Sequence, residues 1–288
     1  MGCKQRLGWW IRCFVRNSLV WMVIAFALFP LLYILGTSFN PANSIGTTRI
    51  IPWNPTLMHY RNLVSDPYHP FLLWTWNTIK VSGTTAGVSV FFCALGAYAF
   101  SRFRFRGRRA GLLTLLLVQM FPQTLGMVAI FLMMVWLGDT VPWLGLNTHS
   151  GLILVYLGGA MGFNTWLMKG YFDSIPLSID ESAKIDGATS FQIFLRIILP
   201  LSRPILAVVF VIQFIGIYSE YMLASILLKG KDMYTLSVGM RLFVTQHYDD
   251  RWGPFAAAGV MGSILVLIIF YALQGQIVSG LTRGGVKG

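Results

Sequence analysis

Charge is what this sequence has least of. Only 11% of its 288 residues are Asp, Glu, Lys or Arg, against about 25% in ordinary globular domains, and its mean hydropathy is +0.66. Surface so short of charge has to face lipid, which excludes a water-soluble domain and intrinsic disorder alike. Acids are scarcer still, 10 against 22 basic residues, for a net charge of +12. That surplus does not point to nucleic acid, because the basic residues cluster in short stretches between apolar runs, the pattern of membrane orientation. Cysteine is limited to Cys3, Cys13 and Cys93. An odd count closes no full disulfide set, and without a CxxC or a His-rich neighbourhood a metal or redox role is disfavoured. Cys3 comes too early for a lipoprotein signal, which needs an apolar stretch before it. No G-x4-G-K-[ST] occurs, so the chain has no P-loop with which to bind nucleotide.

What is present is a series of long apolar runs. A helix needs about 20 mostly apolar residues to cross a bilayer, and six runs qualify: 18–39, 76–100, 111–137, 151–171, 204–228 and 255–278. The first follows Lys4, Arg6, Arg12 and Arg16 but has no small-x-small cleavage pattern, so an uncleaved span is expected. Gly96, Gly126, Gly158, Gly159, Gly216 and Gly262 fall inside the runs, where small residues let helices approach closely, and Pro30 and Pro122 are tolerable where neighbours re-satisfy the freed carbonyls. The predicted fold class is an all-α membrane protein of six transmembrane helices, with end segments at 1–17 and 279–288 around a six-span body at 18–278.

Alternate connections divide sharply in basic residues. Fifteen fall on one side, including Arg102 to Arg109 and Lys169 to Arg203, and six on the other, with Lys80 just inside the second run. The positive-inside rule then places both termini in the cytoplasm. The outer segment 40–74 carries five prolines and scattered aromatics and is expected to lie as an ordered loop over the span ends. The outer segment 229–254 carries Tyr234, Thr235, His247, Tyr248 and Trp252; its rings suit either interfacial anchoring or contact with a sugar or partner protein.

The connection at 172–203 holds the most information. Ser178-Ile179-Asp180-Glu181 fits a capping box that starts a short helix, with both acids at the positive end of its dipole. Gly187 offers the positive-φ turn that ends it. Thr189-Ser190-Phe191-Gln192 repeats the capping logic for a second helix, expected to stop near Leu199 because Pro200 follows; Pro204 suits the first turn of the next span. Phe191, Phe194, Leu195 and Ile198 share one face of that second helix, so the hairpin either plugs a partner's groove or lies on the membrane surface.

Glu181-Ser182-Ala183, Gly187, Ile197, Leu199 and Pro200 together resemble the EAA loop of binding-protein-dependent ABC importer permeases, with Ser182 in place of the second residue of Glu-Ala-Ala. The resemblance covers nearly the whole chain and is greatest to the smaller permease subunit of maltose and maltodextrin importers, through Gly96 to Arg102, Gly145 to His149, Lys169 to Phe172, Asp186 to Thr189, Tyr234 to Met240 and the tail Gly280 to Gly288. It implies the type I importer permease fold in a bacterial inner membrane and a coupling role for Glu181, Ser182, Ala183, Asp186, Gly187, Ala188 and Pro200 in the cleft of a cytoplasmic ATPase. The tail, with Thr282, Gly284, Gly285 and Lys287, is implied to reach that ATPase as an extended strand, and the 229–254 loop to face a docked binding protein.

The implied partners are a second, different permease, two ATPase copies that hold ATP and magnesium, and an extracytoplasmic sugar-binding protein; this chain binds no cofactor and is not an enzyme. Maltose or maltodextrin is the implied cargo, with trehalose and other α-glucosides as alternatives. Gln119, Gln123 and Asn164 either line a polar path or bond neighbouring helices. Glu220, the one acid inside a run, is a default functional candidate, although Tyr218-Ser219-Glu220 replaces the Trp-Asn-Glu of many sugar permeases. An ATPase-independent secondary transporter is disfavoured by the lack of an inverted repeat and of intramembrane acid clusters, and a membrane enzyme by the lack of any catalytic cluster.

The orientation is checked by thiol labelling. A membrane-impermeant maleimide is expected to reach Lys231→Cys from outside, and Arg106→Cys only after the membrane is opened; the reverse pattern overturns the assignment.

Overall fold

The computed structural model describes the backbone of residues 2–42, 51–244 and 251–285 and the side chains of 13–42, 51–122, 124–244 and 251–276. In chain order the helices are α1 (Gly2–Phe39), α2 (Met58–Ser65), α3 (Phe71–Arg102), α4 (Arg108–Gln119), α5 (Met127–Thr140), α6 (His149–Asp173), α7 (Leu177–Ile185), α8 (Ser190–Ile193), α9 (Leu199–Leu201), α10 (Arg203–Tyr218), α11 (Met222–Leu227), α12 (Leu236–Met240) and α13 (Trp252–Gly285). Among the described residues no strand occurs. Cys13–Phe39, Phe71–Arg102, His149–Asp173 and Trp252–Gln276 are long and apolar enough to cross a membrane, and two bent helix pairs raise the total to six.

One of those pairs corrects the sequence reading. The run at 111–137 is not one continuous helix: α4 ends at Gln119 and the chain turns by 77° before α5. Pro122, extended at ψ 117°, opens a 3₁₀ turn at Gln123–Gly126. Proline lacks the N–H that the helix would use and disfavours helical geometry just before it. Pro30, by contrast, stays inside α1. The run at 204–228 is also divided, into α10 and α11, with Ser219, Glu220 and Tyr221 between them.

The chain forms two compact units. In the first, residues 1–70 and 240–263, α1 meets α2 through Phe39 and Tyr60, whose ring centroids lie 5.3 Å apart, and through Ser38 Oγ 2.7 Å from Tyr60 Oη. Buried His59 donates from Nε2 to Asn40 O at 2.7 Å. Asp66 accepts from His69 Nδ1 at 2.8 Å and Arg251 Nη1 at 3.3 Å. Burial alone would raise the Asp66 carboxyl pKa, but His69, the Tyr68 N–H and Arg251 outweigh it and hold the group below its ordinary value. Within the expected 40–74 loop, residues 51–70 are folded around α2, and residues 43–50 lie outside the described residues.

In the second unit, residues 71–239 and 264–288, α3 packs chiefly along α6 and α10. Its buried face carries hydroxyls that satisfy themselves: Thr78, Ser82 and Thr85 each donate to the carbonyl four residues earlier, at 2.8, 2.6 and 2.7 Å. Such back-bonding lets polar side chains enter an apolar interface. The start of α3 also holds down the segment after α11. Trp74 Nε1 donates to Lys231 O at 2.7 Å, Asn77 Nδ2 to Asp232 O and Tyr234 O at 2.8 and 3.0 Å, and Thr78 Oγ1 accepts from Leu236 N at 2.6 Å. Asn147, at a positive φ of 56°, accepts from the N–H of Lys229 and Gly230, and Thr148 caps α6 by accepting from Gly151 N. The segment after α11 is thus tied to the starts of two helices, α3 and α6.

Gly239 lies against Trp74 so closely that a Cβ there would overlap the indole. Gly239→Ala is expected to lower the apparent Tm of the purified protein by several degrees, since overpacking a filled core costs about 1–3 kcal/mol. An unchanged Tm would show that Trp74 repacks freely.

Candidate functional site

Around residues 172–203 the chain leaves α6, makes α7 and α8, and returns through α9 into α10. The start of α7 differs from the predicted capping box. Pro176 is the residue before the helix, at φ −57° and ψ 135°, and no side chain caps it. With the cap set two residues early, Ser178 sits inside the first turn and is no longer the capping position. Asp180 is diverted as well: it pairs with Arg102, 78 residues upstream, at 3.1 Å from Nε to Oδ2, with both side chains only 6% exposed. Arg102 Nη2 also donates to Ile175 O at 3.0 Å. Beside it Ser101 donates to Asp173, which also pairs with Lys169. The end of α3 is thereby bolted to both sides of the turn that leads into α7.

The end of α7 follows the sequence reading. Gly187 has φ 84° and donates to Lys184 O at 3.0 Å, while Ala188 N donates to Ala183 O at 2.9 Å. These two bonds make a Schellman motif, in which a glycine takes the left-handed position that side chains resist. The capping box of the next helix is complete, with Gln192 N donating to Thr189 Oγ1 at 3.3 Å and Thr189 N to Gln192 Oε1 at 2.8 Å. The expected stop near Leu199 is not observed. Phe194–Ile198 form a π turn and α9 carries the helix through Pro200 to Leu201; the widened turn relaxes the ladder at the point where proline brings no N–H. A 79° bend at Ser202 then leads into α10, whose first turn contains Pro204.

One core joins this loop to the spans. Ala183, Ile193, Phe194 and Ile198 pack with Cys93, Ala97 and Tyr98 of α3, Met168 and Phe172 of α6, and Val209 of α10. Of the sequence-predicted residues, Ala183 is buried there and Ala188 packs against it, while Glu181, Ser182, Asp186 and Gly187 are exposed. Exposed alongside them are Ile185, at 86%, Leu177 and Phe191. The buried Arg102–Asp180 pair escaped the sequence reading because nothing local announces a partner so far away.

Three of the four intramembrane candidates come together. Gln119, Asn164 and Glu220 line a cavity of about 680 Å³ with Tyr156 and Gln213. Gln119 Nε2 donates to Gly159 O at 3.2 Å and its Oε1 accepts from Phe163 N; Asn164 Nδ2 and Gln213 Nε2 both donate to Ala160 O, at 2.7 and 3.2 Å. Glu220 caps α11, accepting from Leu223 N at 2.8 Å and Ala224 N at 3.1 Å, and accepts from the Tyr156 hydroxyl. The backbone of Gln123 lies in the 3₁₀ turn, and its side chain is outside the described residues.

In the outer loop Thr235 is buried and presents nothing outward. The Tyr234 hydroxyl donates to Lys229 O, and Trp252 packs edge-on to Phe255. His247, Tyr248 and Lys287 lie outside the described residues, as does the side chain of Thr282. The tail backbone corrects the expectation of an extended strand, because α13 continues unbroken through Gly284 to Gly285.

Residues 89–283 match the family model described as binding-protein-dependent transport system inner membrane component. The chain is 42% identical to the maltose/maltodextrin transport system permease protein MalG of Vibrio vulnificus and 41% identical to that of Escherichia coli, with 96% of each chain covered in both cases. It is 43% identical to the galactooligosaccharides transport system permease protein GanQ of Bacillus subtilis, over 96% of this chain and 98% of that one. Among solved structures it resembles a chain of a bacterial ABC transporter involved in the import of the acidic polysaccharide alginate, with a TM-score of 0.79 and 26% identity over 96% of this chain and 98% of that one.

Removing one partner of a buried ion pair costs about 3–5 kcal/mol, whereas replacing both by apolar residues is often neutral. Arg102→Met alone is therefore expected to lower the apparent Tm more than Arg102→Met with Asp180→Leu. A double variant no more stable than the single one would sink the pairing.

Proposed function

The chain belongs to the family of binding-protein-dependent transport system inner membrane components, and from that membership we propose that it is the smaller permease of an ATP-driven importer of maltose or maltodextrin. It is a transport subunit, and ATP is hydrolysed by a partner ATPase. The observation that carries the substrate reading is the 42% identity to a maltose/maltodextrin permease across 96% of both chains. A galacto-oligosaccharide is the second reading, favoured by an identity of 43% to the permease of that system.

In this proposal a second, different permease completes the pathway, two ATPases bind ATP and magnesium, and an extracytoplasmic protein delivers the sugar. Both termini face the cytoplasm, as the division of basic residues requires. The exposed Glu181, Ser182, Ile185 and Asp186 enter the ATPase cleft. Glu181 offers a carboxylate to a basic or amide partner, and Ile185 supplies an apolar anchor that leaves water on docking.

Displacement of the loop is then transmitted to three spans together. Asp180 pulls on α3 through Arg102, and Ala183, Ile193 and Phe194 bear on α3, α6 and α10 through their common core. A packed core passes on strain instead of absorbing it. ATP-driven closure of the ATPases would favour the outward-facing arrangement and hydrolysis would restore the inward one, each ligand shifting the balance only by its difference in affinity for the two. In the tail, Thr282, Gly284, Gly285 and Lys287 would follow α13 toward the ATPase pair.

The test is sugar-stimulated ATP hydrolysis and uptake in liposomes that hold this chain with its partners. Glu181→Lys and Gly187→Pro are expected to assemble yet lose stimulated hydrolysis and uptake by about tenfold or more. Uptake that survives both changes, or that proceeds without the ATPase, overturns the coupling assignment.

A further inference from the structure

The connection between α3 and α4 carries positive charge that nothing near it in the chain balances. All five basic residues at 102–109 are arginines. Arg102 is taken by Asp180. Among the described residues Arg104, Arg106, Arg108 and Arg109 pair with no carboxylate, and Arg108 donates only to Ser101 O, at 3.4 Å. Phe103 and Phe105 fold back on Tyr98 and Phe100 of α3, with ring centroids 5.7 Å apart in each pair, and Arg104 and Arg106 are left exposed.

Two of these arginines converge on a groove. Arg108, Arg109 and, from α6, Lys169 line a depression of about 560 Å³ together with Phe105, Ala110 and Leu112. Asp173 neutralises Lys169 at 2.5 Å, so the two guanidinium charges of Arg108 and Arg109 are in excess. Gly107 at the edge of the groove has no side chain to fill it, and a Cβ there would meet nothing within 4 Å. Membrane orientation asks only that basic residues lie in a cytoplasmic connection; it does not ask that they meet in a concave surface or that each be arginine. Like charges gathered in a concavity repel one another and attract an anion, and the guanidinium fork matches two oxygens of a phosphate at once. The other wall is apolar. Beyond Leu112 on the same helix, Leu113, Leu117 and Val118 are 51, 65 and 68% exposed. A free anion would leave that wall uncovered, whereas a phosphate that carries acyl chains matches both sides, and basic pockets beside the cytoplasmic ends of membrane helices are where anionic headgroups bind.

We propose that this groove binds the headgroup phosphate of an anionic phospholipid of the cytoplasmic leaflet, held by Arg108 and Arg109, with its acyl chains along the exposed apolar side chains of α4. The site goes beyond the importer reading and depends only on the cytoplasmic placement of residues 102–109, which labelling of Arg106→Cys tests by itself.

The probe is phosphatidylglycerol, titrated onto the whole importer in a neutral detergent, with bound lipid counted by native mass spectrometry. Arg108→Gln with Arg109→Gln is expected to weaken retention of the tightest-bound lipid by about tenfold or more, since each cation beside an anionic headgroup contributes about a factor of five. Ala110→Trp fills the groove, leaves the charge alone and is expected to weaken it by about tenfold as well, so charge and shape are tested independently. Arg12→Gln with Arg16→Gln removes the same charge from the N-terminal segment and is expected to bind as the native protein does. Phosphatidylcholine, which has the phosphate without the net charge, is expected to bind about tenfold more weakly than phosphatidylglycerol. Native retention in both groove variants overturns the site. Displacement of the lipid by inorganic phosphate at matched ionic strength also overturns it, in favour of a free anion. Loss of the ATPases from the Arg108→Gln, Arg109→Gln assembly overturns it in favour of an acidic protein surface.

Discussion

Inside a bilayer no water is available to a backbone N–H or carbonyl, so every polar group must find its partner within the protein. Much of this chain follows from that constraint. The hydroxyls of Thr78, Ser82 and Thr85 turn back on their own helix. The division between α10 and α11 exposes amide groups, and Glu220 is placed to receive two of them. Ala160 O, in the middle of α6, accepts from both Asn164 and Gln213. At the break between α10 and α11 a side chain closes the open hydrogen bonds, and that side chain then becomes a polar feature of the membrane interior.

The signals that sequence reading captured are the short-range ones. The positive φ of Gly187 and the reciprocal bonds of Thr189 and Gln192 are decided by residues within five positions of each other, so motif and structure agree. Ser178 failed for a reason of the same range: Pro176 offers a competing start two residues earlier. Asp180 does sit in the first turn of α7, as expected, but its ion pair was not legible, because its partner Arg102 belongs to another helix. Glu220 was visible as an acid in an apolar run, but its work as a cap was not, since neither Ser219 nor Tyr221 marks a helix break. Tyr156 and Gln213 gave no signal, because what they do depends on which helices face each other.

The loop at 172–203 separates two demands usually confounded in a motif. Ala183, Gly187 and Ala188 are fully accounted for by local structure: a buried methyl, a left-handed residue and a donor to Ala183 O. Glu181, Ser182 and Asp186 are exposed, and packing does not call for their side chains. The first group keeps the loop in shape whatever it touches. The second is available for contact, and the Arg102–Asp180 pair between them fixes where that contact is presented.

The 79° bend at Ser202 has a mechanical consequence. On one side of it the helix from Ser190 to Leu201 has twelve residues, about 18 Å at the α-helical rise, and on the other α10 has 16 residues, about 24 Å. Two stiff arms joined near a right angle form a bell crank. The bend directs the two arms nearly at right angles, the longer exceeding the shorter by about a third. The far end of the longer arm carries Tyr218 into Glu220, so that arm ends at the carboxylate that caps α11.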